Sequence, residues 1–192
     1  MLPETVETLL QHLERGDERQ RRYAARDLVA FPSTDVVDAL CARLVEETSG
    51  AVREAIVLAL IGIGGEPVAG RVGALLRSQD ARVRNAAVEI LQSLGTQARG
   101  TVSELLKDPD RDVRLCAVNV LGEARYREAI AMLRDVVDTD PDVNVVAAAI
   151  EHLGEMGSRR EDGACIEGAR RRFDDPFLHY VAGLALQKMR AE

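Results

Sequence analysis

The chain has 192 residues, 46% of them hydrophobic and 30% charged, and its 25 Lys and Arg against 32 Asp and Glu give a formal charge of -7. This composition excludes a low-complexity disordered chain, and the longest apolar stretch, Ala55 to Ile61, is far below the ~18 residues of a membrane-spanning helix. Acid outnumbers base in both halves, 14 to 11 over residues 1–96 and 18 to 14 over residues 97–192, so neither half is a basic nucleic-acid module.

In chain order, amphipathic helical runs of two kinds alternate. The first kind is carried by Val6, Leu9, Leu10 and Leu13, then Val37, Leu40 and Leu44, then Val72, Leu75 and Leu76, then Val102, Leu105 and Leu106, then Ile130, Leu133 and Val137. After each of these five, and a sixth time near the end, comes a run opening on Val-Arg or a degenerate form of it: Arg21-Arg22, Val52-Arg53, Val83-Arg84, Val113-Arg114, Val145-Val146 and Leu178-His179. Four and eight residues further on stand small or apolar residues, as in Val83, Ala87 and Leu91, which puts one apolar stripe on one helix face. Gly16, Gly50, Gly65, Gly95 and Gly157 fall at the turns, and Pro3, Pro67, Pro109, Pro141 and Pro176 near helix starts. The period near 31 predicts an all-α, single α-solenoid over residues 1–192, with about six two-helix repeats at 1–31, 32–63, 64–94, 95–124, 125–157 and 158–192. A lone helix pair cannot bury its own stripe, so neighbouring pairs must stack.

The turn and inner-helix pattern resembles HEAT repeats of the short bacterial type, the E-Z class related to phycobilin lyases. It stands most cleanly as Asp80, Val83, Arg84, Ala87, Leu91 and as Asp110, Val113, Arg114, Ala117, Leu121, Gly122. The resemblance covers essentially the whole chain. It implies that the Val-Arg helix is the second of each pair and lines a concave side. It further implies that Arg22, Arg53, Arg84 and Arg114 reach the Asp turns of neighbouring repeats, Asp80 and Asp110 among them, as a ladder. Val146 and His179 stand where the last two copies would carry that arginine.

With that orientation, the positions two and six residues after the Val slot look into the groove. The first row is Tyr23, Glu54, Asn85, Leu115, Ala147 and Tyr180; the second is Asp27, Leu58, Glu89, Asn119, Glu151 and Leu184, with Ile61 one turn on. The surface is acidic and apolar, without a base, and suits a partner protein offering a basic and apolar segment such as an amphipathic helix. The plainer reading packs Leu58, Leu115 and Leu184 between helices and leaves the carboxylates solvated. The expected function is a non-enzymatic protein–protein interaction scaffold, working as a monomer or within a larger complex through solenoid ends bearing Leu184, Leu186 and Met189. Two alternatives rest on the repeat type alone, a bilin lyase or chromophore-handling subunit and a DNA-repair protein.

Chemistry is sparse. His12, His152 and His179 lie in different repeats and form no H-x-x-x-H pair, so no catalytic, metal or cofactor residue is expected. HEAT-like deoxyhypusine hydroxylases use His-Glu dipeptides, whereas Glu151-His152 is the reverse order. Gly62-Ile63-Gly64-Gly65 lacks the strand and Lys-Ser/Thr of a phosphate loop and reads as a helix terminus. With two lysines, Lys107 and Lys188, and no Trp, a nucleic-acid partner is disfavoured. Arg19, Arg21, Arg22 and Arg26 read as the polar end of the stack, with an anion or acidic-protein contact as the second reading, and Arg170 to Arg172 as cations at a helix C-terminus. Cys41, Cys116 and Cys165 are widely spaced and fit small buried hydrophobes in a reducing compartment. Met1-Leu2-Pro3-Glu4 shows no leader, so a cytoplasmic location without membrane contact is expected.

Overall fold

Helix starts are written into the loops as short polar side chains. In the computed structural model, which describes residues 5–124, 126 and 128–189, Ser33, Ser49, Asp80, Asp110, Asp142, Ser158 and Asp175 each cap a helix by accepting from a first-turn backbone N–H. Pro176 follows its cap at the first helical position, where a missing N–H is harmless. Gly64 and Gly65 join one helix to the next at φ of 67° and 88°, in the left-handed region, so the glycine run marks a helix terminus. Pro3, expected at a helix start, lies outside the described residues.

Twelve α-helices and no strand occur among the described residues. The chain divides into two compact units, Met1–Thr101 and Val102–Glu192. The first holds α1 (Val6–Arg15), α2 (Glu18–Asp27), α3 (Thr34–Glu46), α4 (Gly50–Ile63), α5 (Gly65–Ala74) and α6 (Ala81–Leu94). There α2 packs on α4 and α4 on α6, while α1 packs on α3 and α3 on α5, so three hairpins stack. After α7 (Arg99–Leu105), which spans the boundary, come α8 (Arg111–Gly122), α9 (Glu128–Thr139), α10 (Val143–Met156), α11 (Arg159–Arg172) and α12 (Pro176–Lys188). In the second unit α8 packs on α10 and α10 on α12, with α9 on α11 behind them. The fold is all-α and of the α-solenoid class.

Within each unit the repeated apolar slots are buried together. Val52, Ile56 and Leu60, and their counterparts Val83, Ala87 and Leu91, Val113, Ala117 and Leu121, and Val145, Ala149 and Leu153, are all at most 2% exposed. Each large member contributes roughly 1.5–3 kcal/mol by leaving water. The first copy departs from its expected register by one residue. Asp17 and Gln20 close a reciprocal capping box (2.8 and 2.9 Å) that fixes the start of α2. Gln20 therefore takes the Val slot, Ala24 and Leu28 are the buried residues four and eight further on, and Arg21 rather than Arg22 takes the ladder position.

The ladder itself has two kinds of rung, one to a backbone carbonyl and one to a carboxylate. Arg53, Arg84 and Arg114 each donate to the backbone carbonyl six residues back, on Glu47 (2.7 Å), Ser78 (2.7 Å) and Asp108 (2.9 Å). Arg21 and Arg114 also grip a carboxylate of the following repeat, Glu47 (2.8 Å) and Asp140 (2.7 Å). The acids that receive them lie five residues before the Val slot and are not the expected Asp80 and Asp110, which serve as helix caps. Acids at this position also close their loops: Asp108 and Asp140 accept from the N–H two residues on, at 2.9 and 2.8 Å. His179 substitutes for arginine on the first rung, with Nε2–H donating to the Phe173 carbonyl at 2.9 Å. Val146 cannot, and the Asp140 carbonyl it leaves is taken by Arg172 at 3.0 Å, which also donates to Val137 at 2.8 Å in the last turn of α9. Arg172 thus ends a helix other than its own.

Two slots lack the acid, Ser78 before α6 and Phe173 before α12. Ser78 stands where the loops before α4, α8 and α10 carry Glu47, Asp108 and Asp140, and it keeps the turn bond from the Asp80 N–H (3.2 Å) without offering a carboxylate. Correspondingly, Arg53 Nε is buried without a hydrogen-bond partner among the described residues. A Ser78→Asp substitution is expected to stabilise the protein by about 1 kcal/mol, raising the melting temperature by about 2–4 °C. Loss of that gain in the Ser78→Asp, Arg53→Ala double variant would tie it to this pair.

Candidate functional site

A concavity lies within the first unit, between α2 and α4. It encloses about 570 Å3 and is lined by Arg22, Tyr23 and Arg26 on α2, by Val29 in the turn just after it, and by Ala51, Glu54, Ala55, Leu58 and Ala59 on α4. Its shape follows from helical spacing. Ala51, Ala55 and Ala59 recur every four residues and leave a channel for want of bulk, and Leu58 rises beside them with 60% of its surface exposed.

The α2 wall is cationic. Arg19, Arg22, Tyr23 and Arg26 share one helix face, and the three guanidinium carbons lie 5.6, 5.3 and 4.8 Å from the Tyr23 ring centroid. Hydrogen bonding by Arg22 and the charge of Arg19 hold the Tyr23 hydroxyl below its ordinary pKa. Asp27 takes Nε of Arg26 at 2.8 Å. Arg19 and Arg22 form no ion pair among the described residues.

The expectation of a groove without bases is therefore corrected. The one-residue shift in α2 moves Arg22 and Arg26 onto the groove-facing positions where Tyr23 and Asp27 were expected, and Tyr23 remains at the groove as the ring beneath them. The capping box that causes the shift was legible as Asp17-x-x-Gln20, a signal that outranks a degenerate repeat match.

Of the expected contact residues, Tyr23, Glu54 and Leu58 come together here, and Asp27 flanks them. Ile61, half-buried, and Asn85 and Glu89, exposed, belong to the same unit but do not line the groove. In the second unit Leu115 is half-buried while Asn119, Glu151, Tyr180 and Leu184 are exposed. Asn119 faces His152 Nε2 at 3.4 Å, a ring admitted by Gly122, where a Cβ would run into it. Leu58 and Leu184 are not packed between helices, against the plainer reading. On α12, Phe177 joins Tyr180 and Leu184 as an exposed stripe that the repeat slots did not single out, whereas Leu186 and Met189 are buried rather than available for contact.

The chemistry-bearing side chains are dispersed. No group of three or more His, Cys, Asp or Glu suited to a metal ion occurs among the described residues. His179 is occupied with the Phe173 and Arg170 carbonyls. Cys41 is buried, Cys116 and Cys165 are half-buried and none is in a disulfide; burial pushes the thiols of Cys41 and Cys165 up to about 11 and about 12, away from thiolate chemistry. No helix among the described residues is long and apolar enough to cross a membrane.

Stacked hairpins with a repeated Val-Arg anchor define a helical-repeat protein. The HEAT-repeat family model matches residues 6–92 and 98–187, and the chain belongs to that family. The match is to HEAT repeats at large and selects no narrower class. Among solved structures, the chain is similar to the MAST/Orbit N-terminal domain, at 20% identity over 99% of this chain and 100% of that one with a TM-score of 0.56. It is also similar to a HEAT-like repeats protein of the archaeon Thermococcus onnurineus, at 15% identity over 97% and 87% of the two chains with a TM-score of 0.45. The CpcE–CpcF phycocyanin lyase complex of Nostoc aligns at 17% identity over 98% and 96%, with a TM-score of 0.39. No curated protein sequence matches the chain.

Proposed function

We propose that this protein is a binding scaffold rather than an enzyme, and that it holds a segment of a partner protein against the exposed inner-helix faces of the first unit. The observation that carries this reading is Leu58, 60% exposed and set in a walled channel. A leucine left in water forgoes roughly 1.5–3 kcal/mol, which an apolar side chain of a partner would recover. Glu54 on the channel wall and Glu89 on α6 are exposed and would steer basic residues flanking that anchor.

Once a partner is identified by affinity capture, its binding kinetics test the assignment. Leu58→Asp is expected to speed dissociation by at least ~10-fold, which corresponds to ~1.4 kcal/mol. Glu54→Lys with Glu89→Lys is expected to slow association, most visibly at low salt. Because all three side chains are exposed, the melting temperature should stay within a few degrees. A partner that binds both variants as the wild type would remove the groove from the function.

A further inference from the structure

We infer that the α2 wall of this groove is a carboxylate-accepting site, so that the segment it holds carries Asp or Glu side chains on the flank that engages Arg22 and Arg26, an apolar anchor on Leu58, and its basic residues on the flank over Glu54. The inference rests on the scaffold reading and adds to it the chemistry of one wall. Arg22 has no ion pair among the described residues, and Asp27 uses only Nε of Arg26. A guanidinium fork accepts a carboxylate through two parallel bonds, which an ammonium cannot copy. The Tyr23 ring, with three guanidiniums arrayed over it, holds both forks on the groove side and limits the entropy lost when they are engaged.

Spacing makes the occupant specific. Arg22 and Arg26 stand one helical turn apart, about 5–6 Å between Cβ atoms. Carboxylates two residues apart on an extended segment, or four apart on a helix, match that separation. Arg and Tyr are also the side chains over-represented where binding energy concentrates. The opposite wall offers Glu54, so the acidic side of the segment must lie over α2 and its other flank over α4. An extended polyanion fits poorly, because the cationic strip is local: residues 1–96 carry 11 bases and 14 acids, a net charge of 11 − 14 = −3.

The test uses the whole chain and two synthetic 12-residue peptides with the same apolar anchors and the same Lys residues on one side, the Glu-flanked peptide carrying Glu on the other side and the Lys-flanked peptide carrying Lys there, measured by calorimetry in near-physiological salt. The Glu-flanked peptide is expected to bind, with Arg22→Glu weakening it at least ~10-fold and Arg22→Gln by less. Arg22 is exposed, and matching melting curves establish that the variants fold. Equal affinity of the Glu-flanked peptide for wild type and Arg22→Glu would overturn the inference. So would its displacement by a single-stranded oligonucleotide at the same salt. If only the Lys-flanked peptide binds, in a manner dependent on Leu58 and Glu54, the acid-accepting wall is wrong while the scaffold reading stands. If neither binds, both fall.

Discussion

Replacing Glu47 by alanine is expected to cost roughly 3–5 kcal/mol of stability, the range seen when one member of a buried ion pair is removed. The Glu47 side chain is wholly buried and meets five donors. Arg21 supplies two (2.8 and 3.0 Å), Arg43 one (3.0 Å), and the N–H groups of Thr48 and Ser49 the others at 3.0 and 2.8 Å. Alanine would leave two half-buried guanidiniums unpaired and undo the loop that starts α4. Urea unfolding at pH 7 gives the difference directly.

The same residue predicts an acid response. Burial alone would raise the Glu47 carboxyl; the Arg21 bond, the Ser49 N–H and the Arg43 charge outweigh it and hold the pKa down at about 2, against 4.5 ordinarily. A depressed folded-state pKa contributes stability above the unfolded value and loses it as pH falls through the folded one. The wild type should therefore lose about 3 kcal/mol between pH 5 and pH 2 on account of this group. Glu47→Gln, weaker at pH 7, should lack that component. Parallel pH profiles for the two proteins would show that the carboxylate's charge is not what ties the first two hairpins.

Gly154→Val is expected to cost about 3 kcal/mol, at the upper end of overpacking effects. A Cβ at Gly154 would lie 2.8 Å from Ala185 Cβ and 2.9 Å from Ala185 Cα, so α12 would have to move its backbone and not merely a rotamer. Ala185→Gly should recover part of the loss and no more, since the clash with the backbone of residue 185 persists. Gly70, within α5 with nothing inside 4 Å, is the control. There Ala should stabilise by roughly 0.5–1 kcal/mol through helix propensity. Equal responses at Gly70 and Gly154 would mean that α10 and α12 do not approach this closely.

The hairpins were legible because two periods coincide in this chain, the helical 3.6 within each segment and the spacing near 31 between Val-Arg pairs. Val83, Ala87 and Leu91 announce a buried face without help from any neighbour. What failed was register at the degenerate first copy. Arg21-Arg22 offers two arginines for one slot, and the choice is made by Asp17 and Gln20 at the helix start, a local contact stronger than resemblance to distant copies. That single step changed the sign of one groove wall. The ladder acids were missed for a related reason. Asp80 and Asp110 are the obvious carboxylates of their turns, yet an N-cap side chain points at its own helix. The residue free to reach a neighbouring repeat is the one two positions earlier, and it is Glu47, Ser78, Asp108, Asp140 and Phe173 in turn. Arg172 was legible only as a dipole cation, because its target is a carbonyl orphaned by Val146, 26 residues upstream.

The tether from Arg53, Arg84 and Arg114 to a carbonyl six residues earlier is internal to one repeat, requiring nothing from next door. Such a unit carries its own fastening when it is duplicated or excised, whereas the carboxylate rung is renegotiated at every junction. Growth and shrinkage of the array by whole repeats is thereby made easy for evolution, with the junction acid, present at Asp140 and missing at Ser78, as the part left to be tuned afterwards.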